Sequence, residues 1–288
     1  MLKKFFVSFI CFSSVFCFFS DSHIGDTEKT EVDYIKHPAL TSFTDTPKEG
    51  RVRISFGLNP SKLISKLYDD NGDIEAVNVN ESYNVSSNYI ALDYYGYKRS
   101  GISLVISNST IDYKSAGLED EKIPVTFASV YFLWGDKFSF PVQSIKSEFG
   151  FADSLGILIS QSIDYRITSN QMWSNKFILT TKDTSDELFP ESSRNTVTFS
   201  SQLIYNLSQS IGASAMFTYY KFDEQAMGAS YTTSMNSLEL SAGLQLAELG
   251  YGYYNFNLRL KPSFKIPLSG RNYFKENIMA LGVTLDFI

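Results

Sequence analysis

Residues 276–288 constrain the fold more than any other stretch, because large apolar side chains occupy every second position. The apolar row is Met279, Leu281, Val283, Leu285 and Phe287. The alternate row is Ile278, Ala280, Gly282, Thr284 and Asp286. Successive side chains of a β-strand point to opposite faces, so the pattern predicts a strand with one apolar face. An apolar outer face with a small or polar inner face is typical of outer-membrane barrels, and barrel closure also removes the free edge on which such a strand would aggregate.

The same period of two recurs along the chain from residue 51. Clear segments are 51–58, 89–97, 102–106, 125–134, 156–168, 173–182, 195–205, 211–222, 238–246 and 254–266. Segment 51–68 could supply one strand or two, because 61–68 also fits a helical stripe. No stretch after residue 20 is apolar for the roughly 18 residues that a membrane-spanning helix needs. The chain is therefore expected to be all-β.

The lengths of the predicted connections indicate how the strands are arranged. Short turns are expected near residues 98, 136, 170, 208 and 249, and longer polar connections at 108–122, 183–194, 222–236 and 267–275. Short turns on one rim and long loops on the other are characteristic of an outer-membrane barrel. We therefore predict a closed antiparallel transmembrane β-barrel of about 12 strands, within a range of roughly 10 to 14.

The N-terminal residues predict export. Lys3 and Lys4 precede a Phe-rich run over 5–19, so residues 1–20 are expected to be a signal peptide. Both cysteines, Cys11 and Cys17, lie within it, so the mature chain would contain none. Residues 21–50 are a polar arm, expected to be solvated in the periplasm, with insertion into the barrel as the alternative. The barrel itself would span 51–288.

Composition argues against several classes of function. His23 and His37, the only histidines, precede the first strand, so no strand or later loop offers a histidine base for hydrolytic chemistry. A hydrolase based only on carboxylates stays open, but no catalytic residue is assigned and an enzyme is not expected. Asp69, Asn71 and Asp73 have the spacing of a calcium loop, but the residues at its later positions do not match, so no metal or cofactor is predicted. A net charge of −6 disfavours nucleic acid as a partner.

Four charged residues are candidates for the lining of the lumen. Asp164 and Arg166 share one face of a predicted strand, and Arg259 and Lys261 share one face of another. As inward residues they could set a local field and narrow the bore. The alternative is that each is a structural charge that only satisfies its own hydrogen bonds.

Two resemblances to known proteins follow from short motifs. Gly282-Val-Thr-Leu285-Asp-Phe287 resembles the C-terminal insertion signal of bacterial outer-membrane proteins, although Ile288 follows the aromatic residue that usually ends it. The stretches 66–72 and 205–208 resemble outer-membrane transporters of the phenol-degradation meta pathway. The resemblance implies a passive channel in the bacterial outer membrane for small solutes, apolar or aromatic compounds among them. Its partners would be membrane lipid, the barrel-assembly machinery and those solutes.

Two other hypotheses stay open. A plugged structural or surface-recognition barrel could act through loops at 183–194 and 222–236. A soluble secreted β-sandwich would share the alternating pattern, because one face of its sheets is also wet.

Overall fold

The computed structural model describes residues 39–77, 83–96, 99–113, 121–134, 142–152, 156–186, 189–226, 229–251 and 254–287. The predicted signal peptide and residues 21–38 of the arm lie outside the described residues. Within the described part of the chain, no helix is long and apolar enough to cross a membrane.

Regular structure in these ranges is entirely β. The strands are β1 (Arg51–Ile64), β2 (Lys66–Tyr68), β3 (Ile74–Ala76), β4 (Tyr83–Tyr95), β5 (Ser100–Tyr113), β6 (Glu121–Trp134), β7 (Val142–Ala152), β8 (Gly156–Arg166), β9 (Gln171–Asp186), β10 (Phe189–Asn206), β11 (Ile211–Ala226), β12 (Ala229–Tyr251), β13 (Tyr254–Arg271), β14 (Tyr273–Phe274) and β15 (Ile278–Phe287). All except β2, β3 and β14 form one closed antiparallel barrel of 12 strands. The predicted fold and strand number are confirmed.

The last strand closes the barrel. β15 pairs with β13 on one side and with β1 on the other, with Leu285 opposite Ile54 of β1 and Leu258 of β13. Segment 51–68 supplies one barrel strand, β1, and the short strand β2, which belongs to a separate sheet with β3 and β14.

The barrel is apolar outside and polar inside. On β8, Ile157 and Ile159 are exposed on the outer face while Ser160, Ser162 and Asp164 are buried on the inner face. The same alternation puts Phe56, Leu92, Phe149, Phe177, Leu203 and Met279 of other strands outside. A soluble sandwich buries its apolar rows, because burying apolar area is what stabilises it. The hypothesis of a soluble sandwich is therefore wrong.

One rim of the barrel, here called the inner rim, holds the start of β1 and the end of β15. Its short connections include residues 167–170 and 207–210. Aromatic side chains stand on its outer surface, where the Tyr165 and Trp173 rings lie 5.4 Å apart and the Trp173 indole N–H donates to the Ser201 hydroxyl at 2.8 Å. Aromatic girdles of this kind mark the level of the lipid headgroups.

Two of the long polar connections predicted for the opposite, outer rim are not loops. β9 and β10 are separated only by residues 187–188, and β11 and β12 only by 227–228. About 9–11 residues cross the membrane, whereas β12 has 23, so these hairpins project beyond the lipid. Water contacts both faces of a projecting strand, so the apolar alternation is lost although strand pairing continues. The turn expected near 249 also lies within β12, which ends at Tyr251.

Candidate transport lumen

Small hydroxyl side chains are the most frequent polar residues on the inner face. The buried inward residues of this kind include Ser55, Ser103, Ser107, Ser129, Ser160, Ser162, Ser174, Thr198, Ser200, Thr218, Ser237, Ser241 and Thr284. They face inward because each lies an even number of residues from the other polar side chains of its strand, and such positions share one face. Hydroxyl groups can both donate and accept hydrogen bonds, so such a wall suits water and polar solutes.

An ion-pair cluster lies at the seam where the last strand meets the first. The Asp286 carboxylate on β15 forms ion pairs with the Arg53 guanidinium on β1 and the Arg259 guanidinium on β13. Both arginines are buried, at 3% and 7% exposure. Arg259 is therefore inward, as predicted, and it takes part in holding three neighbouring strands together.

The other member of the predicted cationic pair has its own acidic neighbour. Lys261 Nζ lies 3.9 Å from Glu239 Oε1 on β12, and both side chains are largely buried. Arg259 and Lys261 thus share the inner face of β13 but each faces a different carboxylate. The arrangement favours the structural interpretation of this pair over a free cationic ring.

A second charge cluster occupies β6, β7 and β9. Lys176 Nζ is 3.8 Å from Glu148 Oε2, and the Ser129 hydroxyl donates to Glu148 Oε1. Lys146 Nζ lies 4.2 Å from the centre of the Tyr131 ring. Sequence analysis missed these residues, although the inward parity of β7 and β9 marks all three charged side chains as lumen residues.

Tyr131 is fixed flat against the wall by a glycine. A Cβ atom at Gly101 would lie 2.2 Å from the Tyr131 ring, so any other residue at this position would displace the ring. The Tyr131 hydroxyl donates to the Tyr94 carbonyl at 3.2 Å, and its ring stacks on Tyr95 at 6.4 Å. Tyr131 is therefore a fixed, fully buried ring on the inner face, beside Lys146.

Residues 39–46 lie inside the barrel near the inner rim, where all of them are buried. They contact inward side chains of the barrel wall, among them Ser174 and Asn206. The expectation of a solvated arm is wrong for this part of the segment, and the alternative of insertion into the lumen is the arrangement observed. The polar composition of 21–50 could not distinguish the two, because the lumen wall offers hydrogen bonds much as water does.

Specific hydrogen bonds hold this segment. The Leu40 N–H donates to Asn206 Oδ1 at 3.1 Å, and Asn206 Nδ2 donates back to the Leu40 carbonyl at 3.2 Å. The Phe43 N–H donates to Ser174 Oγ at 2.9 Å. The Leu40 side chain packs against Met172 and Ile204.

Asp164 organises the other end of the segment. It accepts hydrogen bonds from the Ser174 hydroxyl and from the Thr44 hydroxyl, each at 2.5 Å. Because Ser174 donates to Asp164, its oxygen is free to accept from the Phe43 N–H. Arg166 lies on the same face of β8, nearer the inner rim and half-buried. Of the predicted pair, Asp164 is thus a docking residue of the N-terminal segment.

A small sheet covers part of the outer mouth. In this sheet of β2, β3 and β14, β14 contributes Tyr273 and Phe274 to a buried cluster, against which Leu67 of β2 packs. The other members of the cluster are Ile64, Tyr220, Phe222 and Met235. Asn272 is in the left-handed region at φ 52°. Its backbone N–H donates to the Asp69 carbonyl and its side-chain Nδ2 donates to the Thr232 carbonyl, both at 3.1 Å. The sheet is therefore fixed to β12 and narrows the lumen from the outer side.

Comparison with solved structures identifies the architecture. The COG4313 outer membrane channel from Pseudomonas putida F1 is similar over 90% of this chain and 100% of its own, with a TM-score of 0.56 and 9% sequence identity. The chain has the fold of a bacterial outer-membrane barrel. No protein-family model and no curated protein matches its sequence.

Two further structures resemble this outer-membrane barrel more weakly. The β domain of the Bordetella autotransporter BrkA has a TM-score of 0.39 at 8% identity, covering 83% of this chain and 99% of its own. A Pseudomonas aeruginosa FadL homologue has a TM-score of 0.27 at 6% identity, covering 82% and 88%. Only the first similarity is strong enough to bear on the fold.

The described residues of this outer-membrane barrel hold no group of three or more His, Cys, Asp or Glu side chains that could bind a metal ion. Its inner face combines hydroxyl groups and locally paired charges with buried apolar side chains such as Phe127, Leu158, Ile178 and Met216. The hydroxyl groups and charges are the part of this face that could exchange hydrogen bonds with a solute or exert a local field.

Proposed function

We propose that the protein is a passive channel of the bacterial outer membrane through which small solutes diffuse. The observation that carries the proposal is the closed 12-strand barrel with its apolar row outside and its hydroxyl and charged row inside. A barrel of about 8 strands is filled by its own side chains, whereas a larger one has room for a lumen. The similarity to an outer-membrane channel supports the proposal.

The inner wall favours small polar solutes. The resemblance to meta-pathway transporters implies apolar or aromatic compounds, but buried Ser, Thr and charged residues of the inward rows outnumber apolar ones such as Phe127, Leu158, Ile178 and Met216. The apolar side chains at the outer mouth are engaged in the packed cluster under the small sheet. Desolvating a hydroxyl wall for an apolar solute would cost free energy without new hydrogen bonds.

Assembly would proceed through the last strand. We propose that the barrel-assembly machinery recognises Gly282, Leu285 and Phe287, of which Leu285 and Phe287 face the lipid and Gly282 faces the lumen. The Phe287 ring lies 6.3 Å from that of Phe256 on the next strand, within the aromatic belt of the inner rim. The apolar outer row would then contact outer-membrane lipid.

Reconstitution tests the channel. Purified protein in a planar bilayer should give discrete conductance steps, and liposomes that contain it should swell in a pentose solution faster than protein-free liposomes. Swelling with phenylalanine at equal concentration tests the solute class, and a rate above that of the pentose would reverse our preference for polar solutes. Insulating bilayers together with impermeable liposomes would contradict the channel itself.

One observation favours a second function. The β9–β10 and β11–β12 hairpins project beyond the membrane, which would suit a surface-recognition barrel. Shortening both hairpins distinguishes the two functions. Loss of binding to cells or surfaces with unchanged permeability would support recognition, whereas changed permeability with unchanged binding would support the channel.

A further inference from the structure

We propose that residues 39–46 are a removable gate and that the inner face of β7 to β12 forms a groove built to bind them. The inference rests on the proposed channel function and adds a closed state to it. The groove residues are Ser144 on β7, Asp164 on β8, Ser174 on β9, Asn206 on β10, Gly212 on β11 and Gly243 on β12. The segment thus follows six consecutive strands of a 12-strand barrel, so it occupies much of the circumference near the inner rim.

The wall is shaped to the segment by two glycines. A Cβ atom at Gly243 would lie 2.4 Å from Leu40 Cγ and 2.7 Å from the Ala39 carbonyl oxygen. A Cβ atom at Gly212 would lie 3.3 Å from Leu40 Cδ1. Glycine weakens a strand interior and commonly marks a place where another backbone approaches closely. Gly243 fits that role, because the Ala39 backbone lies against it, whereas Gly212 makes room for the side chains of Leu40 and Asn206.

The bonds that hold the segment are suited to release. Asn206, Ser174 and Asp164 bind it through hydrogen bonds. Its large apolar side chains are Leu40 and the buried Phe43, fewer than the six buried residues of the cluster at the small sheet. Water can replace each hydrogen bond when the segment leaves, so neither side is left with an unsatisfied polar group.

The small sheet at the outer mouth, by contrast, is not suited to release. β2 and β3 lie in the connection between β1 and β4, and β14 lies in the connection between β13 and β15, so barrel strands hold the small sheet on both sides. The sheet also takes part in a cluster of buried aromatic and aliphatic side chains. Moving it would expose that cluster to water, which costs free energy in proportion to the apolar area. Of the two elements that narrow the lumen, the N-terminal segment is therefore the movable one.

A disulfide lock tests the gate. The Thr44 and Ser144 hydroxyl oxygens are in hydrogen-bonding contact, so sulfur atoms in their places are within reach of a disulfide in the double variant Thr44→Cys, Ser144→Cys. The native cysteines, Cys11 and Cys17, lie in the predicted signal peptide, so the mature background contains no competing thiol. Single-channel conductance is recorded before and after reduction, with the singly substituted Ser144→Cys protein as control.

The expected result is an open probability about tenfold or more lower in the oxidised than in the reduced double variant, a factor that corresponds to roughly 1.4 kcal/mol between the open and closed states. The control should be insensitive to the reductant. A variant that lacks residues 39–46 should conduct in both conditions. Its folded state is checked by the mobility shift of the unheated barrel on SDS gels.

Each other outcome overturns the gate in a recognisable way. If the disulfide forms and conductance does not change, the segment docks but does not gate, and the channel function stands. If the disulfide does not form in the folded barrel, the docking is wrong. If no variant conducts, including the deletion, the channel function fails and the gate with it, while the cross-link still reports docking.

A second experiment measures docking of the segment by thiol labelling and does not depend on conductance. In a Thr44→Cys background, Asn206→Ala should speed labelling by a water-soluble thiol reagent about tenfold, because the two hydrogen bonds to Leu40 contribute on the order of 1.4 kcal/mol, the equivalent of that factor. Gln202→Ala is the matched control on the same face of β10, since the Gln202 amide donates to Ser214 at 3.1 Å. Equal labelling rates in the two variants would contradict the assigned groove.

Discussion

The carboxylate of Asp286 shows how single residues hold this barrel closed. It joins Arg53 of the first strand to Arg259 of the penultimate barrel strand, and it does so from the strand that lies between them. Removing one partner of a buried ion pair leaves a charge that water cannot reach. The seam should therefore depend on this side chain more than on any neighbouring hydroxyl.

Replacing Asp286 by alanine should lower the free energy of unfolding by roughly 3–5 kcal/mol, because two buried guanidinium groups lose their carboxylate. Urea unfolding of the barrel in lipid vesicles measures the change. Thr284→Ala is the matched control on the same face, where only a 3.3 Å hydroxyl contact with Ser55 is lost. A cost for Asp286→Ala no larger than that of the control would show that the seam does not rely on the ion pairs.

The sequence predicts the direction of such residues better than their partners. Period-two alternation groups Asp164 with Arg166 and Arg259 with Lys261, and in the structure each pair shares the inner face of its strand. Which carboxylate meets which cation depends on strand register and on neighbours far apart in sequence, as with Arg53 and Asp286. The contact of Asp164 with Thr44 is also invisible in the sequence, because a polar segment can bind a polar wall without any periodic pattern.

At the scale of elements, the turn between β2 and β3 is held by one side chain. The Asp69 carboxylate accepts the N–H groups of Asn71 at 2.8 Å and of Asp73 at 2.7 Å. Desolvation opposes ionisation, but hydrogen bonds from Asp73, Asn71 and Gly72 lower the pKa of Asp69 below its usual value. The residues that suggested a calcium loop thus form a turn closed by its own hydrogen bonds.

The turn should loosen in acid. Because the pKa of Asp69 is lowered in the folded chain, the ionised carboxylate stabilises the turn above the pKa of the unfolded chain, and this contribution disappears as the pH falls through the folded-state pKa. Amide hydrogen exchange of Asn71 and Asp73, compared with exchange at the intrinsic rate for each pH, measures it. Asp69→Asn keeps an acceptor oxygen but cannot titrate, so its protection should not vary with pH in this range. Equal pH dependence in both proteins would assign the effect to another group.

The last strand is the element on which assembly should depend. Deleting Ile288 alone is expected to preserve or increase the amount of folded barrel, because Phe287 then ends the chain as in the insertion signal that it resembles. Deleting 287–288 should lower that amount, since the recognition aromatic and its contact with Phe256 are both lost. The fraction of heat-modifiable protein in outer-membrane preparations measures both. Equal yields from the two deletions would contradict a recognition role for Phe287.

At the scale of the whole molecule, the sequence predicts the membrane-embedded part and loses accuracy outside it. Inside the lipid, every strand must be apolar on one face, so strands such as β8 and β15 are evident from residue types alone. Beyond the lipid, β9 to β12 continue with polar residues on both faces and were mistaken for loops. For the same reason the sequence predicts insertion of segment 39–46 only as an alternative, since water and the lumen wall favour similar side chains.

The arrangement of the two rims gives the whole barrel an orientation. If the inner rim lies in the periplasm, as the short turns and the position of both barrel ends indicate, a peptide tag inserted at 187–188 should be labelled by antibody on intact cells. A tag inserted after Gln209, in the exposed connection between β10 and β11, should be labelled only after the outer membrane is permeabilised. Both insertions fall between strands whose pairing they leave intact, so the heat-modifiable mobility should persist and serves as the folding control. Labelling of the Gln209 tag on intact cells, with the 187–188 tag protected, would reverse the orientation and move the gate segment to the cell surface.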